Sequence, residues 1–214
     1  MKTDDLIAAL SSDLDPVQPR AVGGRLGLGL GIGVAISAAV MVLWLGVRPD
    51  LMPAMHTGPF WTKFAFALSV AVLGFGLIDR LARPDGEGGM FGPLILAPLG
   101  IMIALAIYQL VGAPADAQMP MIMGHSSQVC ARNIVVLSLP IFAALFWSLR
   151  ALAPTRLTVA GAAAGVLAGA AGTLIYAFHC NESAAPFVAI WYSAGIAAMG
   201  LLGALLGRLL LRWQ

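Results

Sequence analysis

Apolar residues fall in six long blocks rather than in an alternating pattern, at about 26–47, 60–78, 91–111, 134–149, 157–178 and 187–207. The blocks are hydrophobic on all faces, which excludes the alternating repeat of a barrel strand. A helix needs about 20 apolar residues to cross a bilayer, so the pattern predicts six transmembrane helices. The fourth block is the shortest and contains Pro140. It counts as a span because Arg132 and Arg150 can snorkel to its two interfaces. The predicted fold is all-α, an integral membrane bundle over residues 25–214 behind a short tail, residues 1–24.

Composition supports this reading: charged residues make up only 10% of the chain, against about 25% in a soluble domain. The placement of charge then orients the bundle. With the N-terminus in the cytoplasm, the inner side carries Lys2, Arg20, Arg25, Arg80, Arg83, Arg150, Arg156, Arg208 and Arg212, and the outer side only Arg48, Lys63 and Arg132. Basic residues concentrate in cytoplasmic loops, so both termini are expected inside. Asp4, Asp5, Asp13 and Asp15 precede the first block, unlike the short basic leader of a signal peptide. No basic patch with interleaved aromatics points to direct nucleic-acid binding.

The tail has a helical pattern of its own. Thr3 can cap it, Asp4 and Asp5 suit its first turn, and Leu6, Ile7, Leu10 and Leu14 form one apolar stripe before Pro16 and Pro19. So short a helix is marginal alone in water. Its stripe therefore suits a protein partner, the plainer alternative being a tail resting on the membrane.

Within the blocks, Gly27, Gly29, Gly31 and Gly33, then Gly161, Gly165 and Gly169, then Gly203 and Gly207 allow close helix packing, within one chain or in a homo-oligomer. Gly86, Gly88 and Gly89 lack the strand and lysine of a phosphate loop. The block centres hold no Asp, Glu, Lys, Arg or His. That counts against a small-solute transporter, because transport chemistry usually places ionisable groups at membrane depth.

The chain's two cysteines, Cys130 and Cys180, both fall in outer loops, at the start of the fourth span and the end of the fifth. His125 and His179 lie close by, so two sulfurs and two nitrogens could hold a transient zinc or softer metal ion. Three readings stay open on the residues alone: a structural disulfide, a redox- or metal-responsive pair, or two unrelated small side chains. The absence of a CxxC motif counts against a membrane thiol oxidoreductase coupled to quinone.

The opening run MKTDDLIAAL, the segment Asp13-Leu14-Asp15-Pro16-Val17, six spans and the pair His179-Cys180 together resemble the NrsF-type membrane proteins, negative regulators of sigma F. The resemblance implies a multi-pass anti-sigma factor of the bacterial inner membrane, not an enzyme. Its partner would be an extracytoplasmic-function (ECF) sigma factor, and its two outer cysteines would respond to oxidants and heavy metals. Cys130 and Cys180 match those positions. Leu6, Ile7, Leu10 and Leu14 become candidate sigma contacts.

Overall fold

The computed structural model describes residues 3, 5–7, 21–83, 86–152 and 154–212. Among the described residues every regular element is helical, and six helical runs are long and apolar enough to cross a membrane. Their main helices are α1 (Ala21–Val40), α2 (Gly58–Leu81), α3 (Ala97–Gly112), α4 (Ser127–Arg150), α5 (Leu157–Tyr176) and α6 (Ser193–Leu210). Two wide helical turns extend them: Met41–Leu45 prolongs α1, and Val188–Tyr192 leads into α6.

α2, α4 and α6 run past the ends of their apolar blocks. Hydropathy stops at the first charged residue, whereas backbone hydrogen bonding continues past it. Arg80, Arg150 and Arg208 occupy the last turns of α2, α4 and α6, where positive charge complements the exposed carbonyls of a helix end. The largest correction concerns the fourth block, expected as the weakest and shortest. Its helix starts at Ser127 and runs through Pro140, so Cys130 is helical and not in a loop. Proline removes a backbone donor and loosens its helix. In that turn Ser37 of α1 adds a bond between helices, donating its hydroxyl to the Leu137 carbonyl at 2.6 Å.

Small residues set the packing. α5 lies at the centre against α2, α4 and α6. A Cβ on Gly161 would fall on the Gly203 carbonyl, and one on Gly165 on that of Met199, so the α5 and α6 backbones touch. α1 meets α4 in the same way at Gly29 and Gly33. Gly27 and Gly31, by contrast, have open space beside them and remain free for a lipid or a second chain. α3 is peripheral; its Ile101, Ile107, Tyr108 and Val111 are exposed, as lipid-facing side chains must be.

One end of the bundle gathers the start of α1 and the end of α6. There Ser148 donates to the Arg25 carbonyl, and Arg150 Nε donates to the Leu210 carbonyl. The opposite end carries both cysteines.

Packing of this kind predicts position-dependent tolerance. Gly165→Ala should destabilise the purified protein by about 1–3 kcal/mol, the usual cost of overpacking, and Gly27→Ala should leave it unchanged. Apparent melting temperature in detergent is the measurement; equal melting of the two variants would show that the α5–α6 contact is not the tight one.

Candidate functional site: a buried cysteine pair

The polar centre at the cysteine end is assembled from every span. Cys130 sits in the first turns of α4, its N–H bonded to the Ser126 carbonyl at 2.9 Å. Cys180 follows α5, whose last turn closes through bonds from the His179 and Cys180 amides to the Tyr176 carbonyl at 2.9 and 3.0 Å. Both are free thiols, 0% and 3% exposed. Cys130 is hydrogen-bonded to Cys180. The two residues that the sequence placed on one side are therefore neighbours inside the protein, not solvent-facing loop thiols.

Two tyrosines wall the pair. Tyr176 and Tyr192 are buried, with ring centroids 6.1 Å apart in an edge-on contact. The Tyr176 hydroxyl bonds to Cys130 and to the Asn133 side chain. That of Tyr192 lies beside Cys180 and has no well-formed hydrogen bond among the described residues. The wide turn ending at Tyr192 accounts for its placement, because an extra residue per turn changes the face on which the next side chain emerges.

Cations hold the loop from behind. Lys63 of α2 is 1% exposed, and its Nζ donates to the carbonyls of Cys180 at 2.7 Å and Glu182 at 2.9 Å. Arg48 Nη1 donates to the same Cys180 carbonyl at 3.0 Å, and its Nε and Nη2 grip both oxygens of Asp50 at 2.8 and 2.7 Å. That fork raises the Arg48 pKa and lowers that of Asp50. Lys63 forms no ion pair with a carboxylate among the described residues. The Cys180 thiol is drawn down to about 6, first by the hydrogen bond from Cys130 and then, against the opposing effect of burial, by the Lys63 charge.

The histidines stand apart. His179 Nδ1 pairs with the Gly46 carbonyl at 2.9 Å and its ring leans on Tyr176. The His125 ring is fully exposed, 3.6 Å from Glu182 Oε1, while its backbone N–H donates to that same oxygen at 2.7 Å. Among the described residues no three His, Cys, Asp or Glu side chains cluster closely enough to hold a metal ion. The donor set at the site is two sulfurs. In the tail, Thr3 and Asp5, Leu6 and Ile7 are helical, with Leu6 and Ile7 exposed; Leu10 and Leu14 lie outside the described residues.

Sequence reasoning missed Lys63, Arg48, Tyr176 and Tyr192: it counted Lys63 and Arg48 only as outer-side charge and took the two tyrosines as interfacial residues near span ends. One signal was available for Lys63. It follows Phe60, Trp61 and Thr62 and precedes Phe64, with no Asp or Glu within ten residues on either side. A cation so isolated from carboxylates needs carbonyls if it is buried.

Residues 10–213 match the model of a family described as NrsF, negative regulator of sigma F. The chain is 38% identical over its whole length to the whole of "Anti-sigma-F factor NrsF" of Caulobacter vibrioides. It is 36% identical, again over both full lengths, to "Probable anti-sigma-F factor NrsF" of Azospira oryzae. No solved structure matches it.

The two thiols should differ in reactivity. A small alkylating agent such as iodoacetamide should modify Cys180 at a rate that rises with pH through about 6 and levels off by neutrality, since the thiolate is the nucleophile. Cys130 should react much more slowly. Mass spectrometry after timed quenching reads both sites; a Cys180 rate that keeps climbing to about pH 8.5, as for an ordinary thiol, would remove the polarised pair.

Proposed function

We propose, from the premise that this chain belongs to the NrsF family of negative regulators of sigma F, that it is a membrane-bound anti-sigma factor switched by Cys130 and Cys180. As a regulator rather than an enzyme, it needs no turnover. Its partner is a sigma factor of the ECF class, held in the cytoplasm at the end of the bundle opposite the cysteines. The bias of basic residues toward that end supports an orientation with the cysteines on the outer side of the inner membrane, where disulfides can persist.

The observation that carries the reading is the meeting of two free thiols from separate spans in one buried pocket. Oxidation is balanced simply. The Cys180 thiolate and the Cys130 S–H give one S–S bond; two electrons and the Cys130 proton pass to an external oxidant, such as the N=N bond of an azo compound, which takes its second proton from water. A thiophilic heavy metal arriving as a signal would instead displace that same proton from the sulfurs. Either event replaces the hydrogen bond between Cys130 and Cys180 and alters how α4 meets the end of α5. Sigma binds one arrangement of the bundle better, so the outer event shifts the population toward release.

In cells, Cys130→Ser, Cys180→Ser and the double variant should each insert and repress sigma, yet respond poorly to an oxidant that cannot cross the inner membrane. The double variant should match either single one, because the thiols act together. A sigma-dependent reporter supplies the readout, and normal induction in the double variant would end the sensor reading. A second measurement addresses the tail. The exposed Leu6 and Ile7 suit helix-in-groove recognition, so their replacement by Asp should abolish co-purification of sigma with membranes while leaving the protein inserted. Undiminished co-purification would move the contact to another cytoplasmic surface.

A further inference from the structure

Resting on the sensor reading above, we propose that Lys63 is the positioning residue that links the cysteine pair to α2, and that α2 is the element whose shift reports the sulfur chemistry across the bundle. The sequence alone directed attention to the fourth and fifth spans, which carry the thiols. The hydrogen bonds lead elsewhere. Lys63 Nζ holds the carbonyl of Cys180 itself, so any movement of that residue pulls on the first turns of α2.

Three features single out α2 among the helices tied to this loop. Arg48 grips the same carbonyl from behind α1, but α1 is fixed to α4 by backbone contact at Gly29 and Gly33 and by the bond from Ser37 to Leu137. α6 is fixed to α5 at Gly161, Gly165 and Gly203. α2 has a looser seat. A Cβ on its Gly74 would stand 3.4 Å from Leu167 of α5, an ordinary distance.

Open grooves flank α2 on two sides. One, about 170 Å³, is lined by Phe66, Val70, Ile95, Leu99 and Ile196. The other, about 330 Å³, is lined by Leu30, Val34, Leu68, Phe75 and Leu174. Both open on the surface of the bundle, so on these two faces α2 is not held by the close interior packing that resists displacement.

The far end of α2 meets the point where the tail joins the bundle. Asp79 lies in its last turns, and a Cβ on Gly23 of α1 would stand 3.2 Å from the Asp79 carboxylate. Arg80 stacks on Phe91 at 4.8 Å, and Arg83 pairs with Asp79 at 3.0 Å. α2 is unbroken over 24 residues, a rod of about 36 Å at the standard helical rise. A displacement imposed at Lys63 therefore arrives beside Gly23, at the start of α1.

The test uses the full chain in membranes with its sigma factor bound, and diamide as the oxidant. Two quantities are read from each sample: free thiols at Cys130 and Cys180, by maleimide mass tagging, and sigma retained on the membrane. Wild type should lose both. At saturating diamide Lys63→Met should still lose its free thiols, though more slowly because Cys180 has lost a nearby positive charge, yet at equal thiol loss release sigma about 5- to 150-fold less readily, the usual span of a lost coupling. Lys63→Arg, which restores two donors, should recover release.

If Lys63→Met does not accumulate, Lys63→Gln decides, with the same separation of thiol loss from release expected. Release equal to wild type, or thiols that stay free, would overturn the assignment, the second because Lys63 would then serve the sulfur chemistry and not its transmission. A Cys180→Ser control that still releases sigma in diamide would instead mark failure of the sensor reading itself.

Discussion

The close approach of α5 to α6 is the contact on which the rest of the bundle depends. In lipid no hydrophobic effect drives helices together, so backbone proximity and van der Waals contact must do it. Gly161, Gly165, Gly203 and Gly207 bring two backbones to touching distance and place an alanine- and glycine-rich helix at the centre. α5 has few large side chains with which to separate its neighbours, and α2 and α4 close on its other faces. Its last turn then delivers Cys180 into the interior, where a larger central helix would have held that loop at the rim.

That placement sets the polar arrangement. A thiol pair surrounded by protein needs its nearby backbone satisfied, because an unpaired carbonyl in a low-dielectric interior costs about 1–3 kcal/mol. The loop after α5 bends sharply and cannot satisfy its own carbonyls. Its partners come from outside: Arg48 to Cys180, Lys63 to Cys180 and Glu182, and the Arg48 amide to Phe178. Two further bonds complete the ring: Gln109 of α3 accepts the Ala185 amide, and the His125 amide reaches Glu182. The loop that carries Cys180 is thus also the junction where all six spans meet.

Which of these features the sequence disclosed follows from their physical range. The six spans were legible because a bilayer imposes one length and one polarity on each, and both leave a local trace. The glycine spacing was legible too, though not its use: Gly29 and Gly33 are packed while Gly27 and Gly31 are open. That distinction depends on which face α4 covers. Cys130 and Cys180 could be selected by sidedness, but their burial could not, since the helix around Cys130 begins among polar residues that hydropathy counts as loop. Lys63 was counted as outer-side charge and Tyr192 taken as interfacial, because that is the usual fate of such residues near a span end. Their real partners lie more than a hundred residues away or in a wide helical turn, neither of which leaves a periodic signal.

Magnitudes favour a clamp on the backbone, rather than the thiol contact alone, as the carrier of the switch. Moving a two-state equilibrium from 1:99 to 99:1 takes about 5.5 kcal/mol of differential stabilisation. Even with Cys180 as a thiolate, the Cys130 thiol is a weak donor, and one hydrogen bond to a charged group contributes at most about 1.5–3 kcal/mol. The bond between Cys130 and Cys180 is therefore too small by itself to hold one arrangement. Hydrogen bonds to a charged group contribute about 1.5–3 kcal/mol each. Lys63 makes two of them, which on that scale come to about 3–6 kcal/mol. Chemistry at the sulfurs can command a bundle-wide equilibrium only by moving a group bound that tightly, and the carbonyl of Cys180 is directly attached to one.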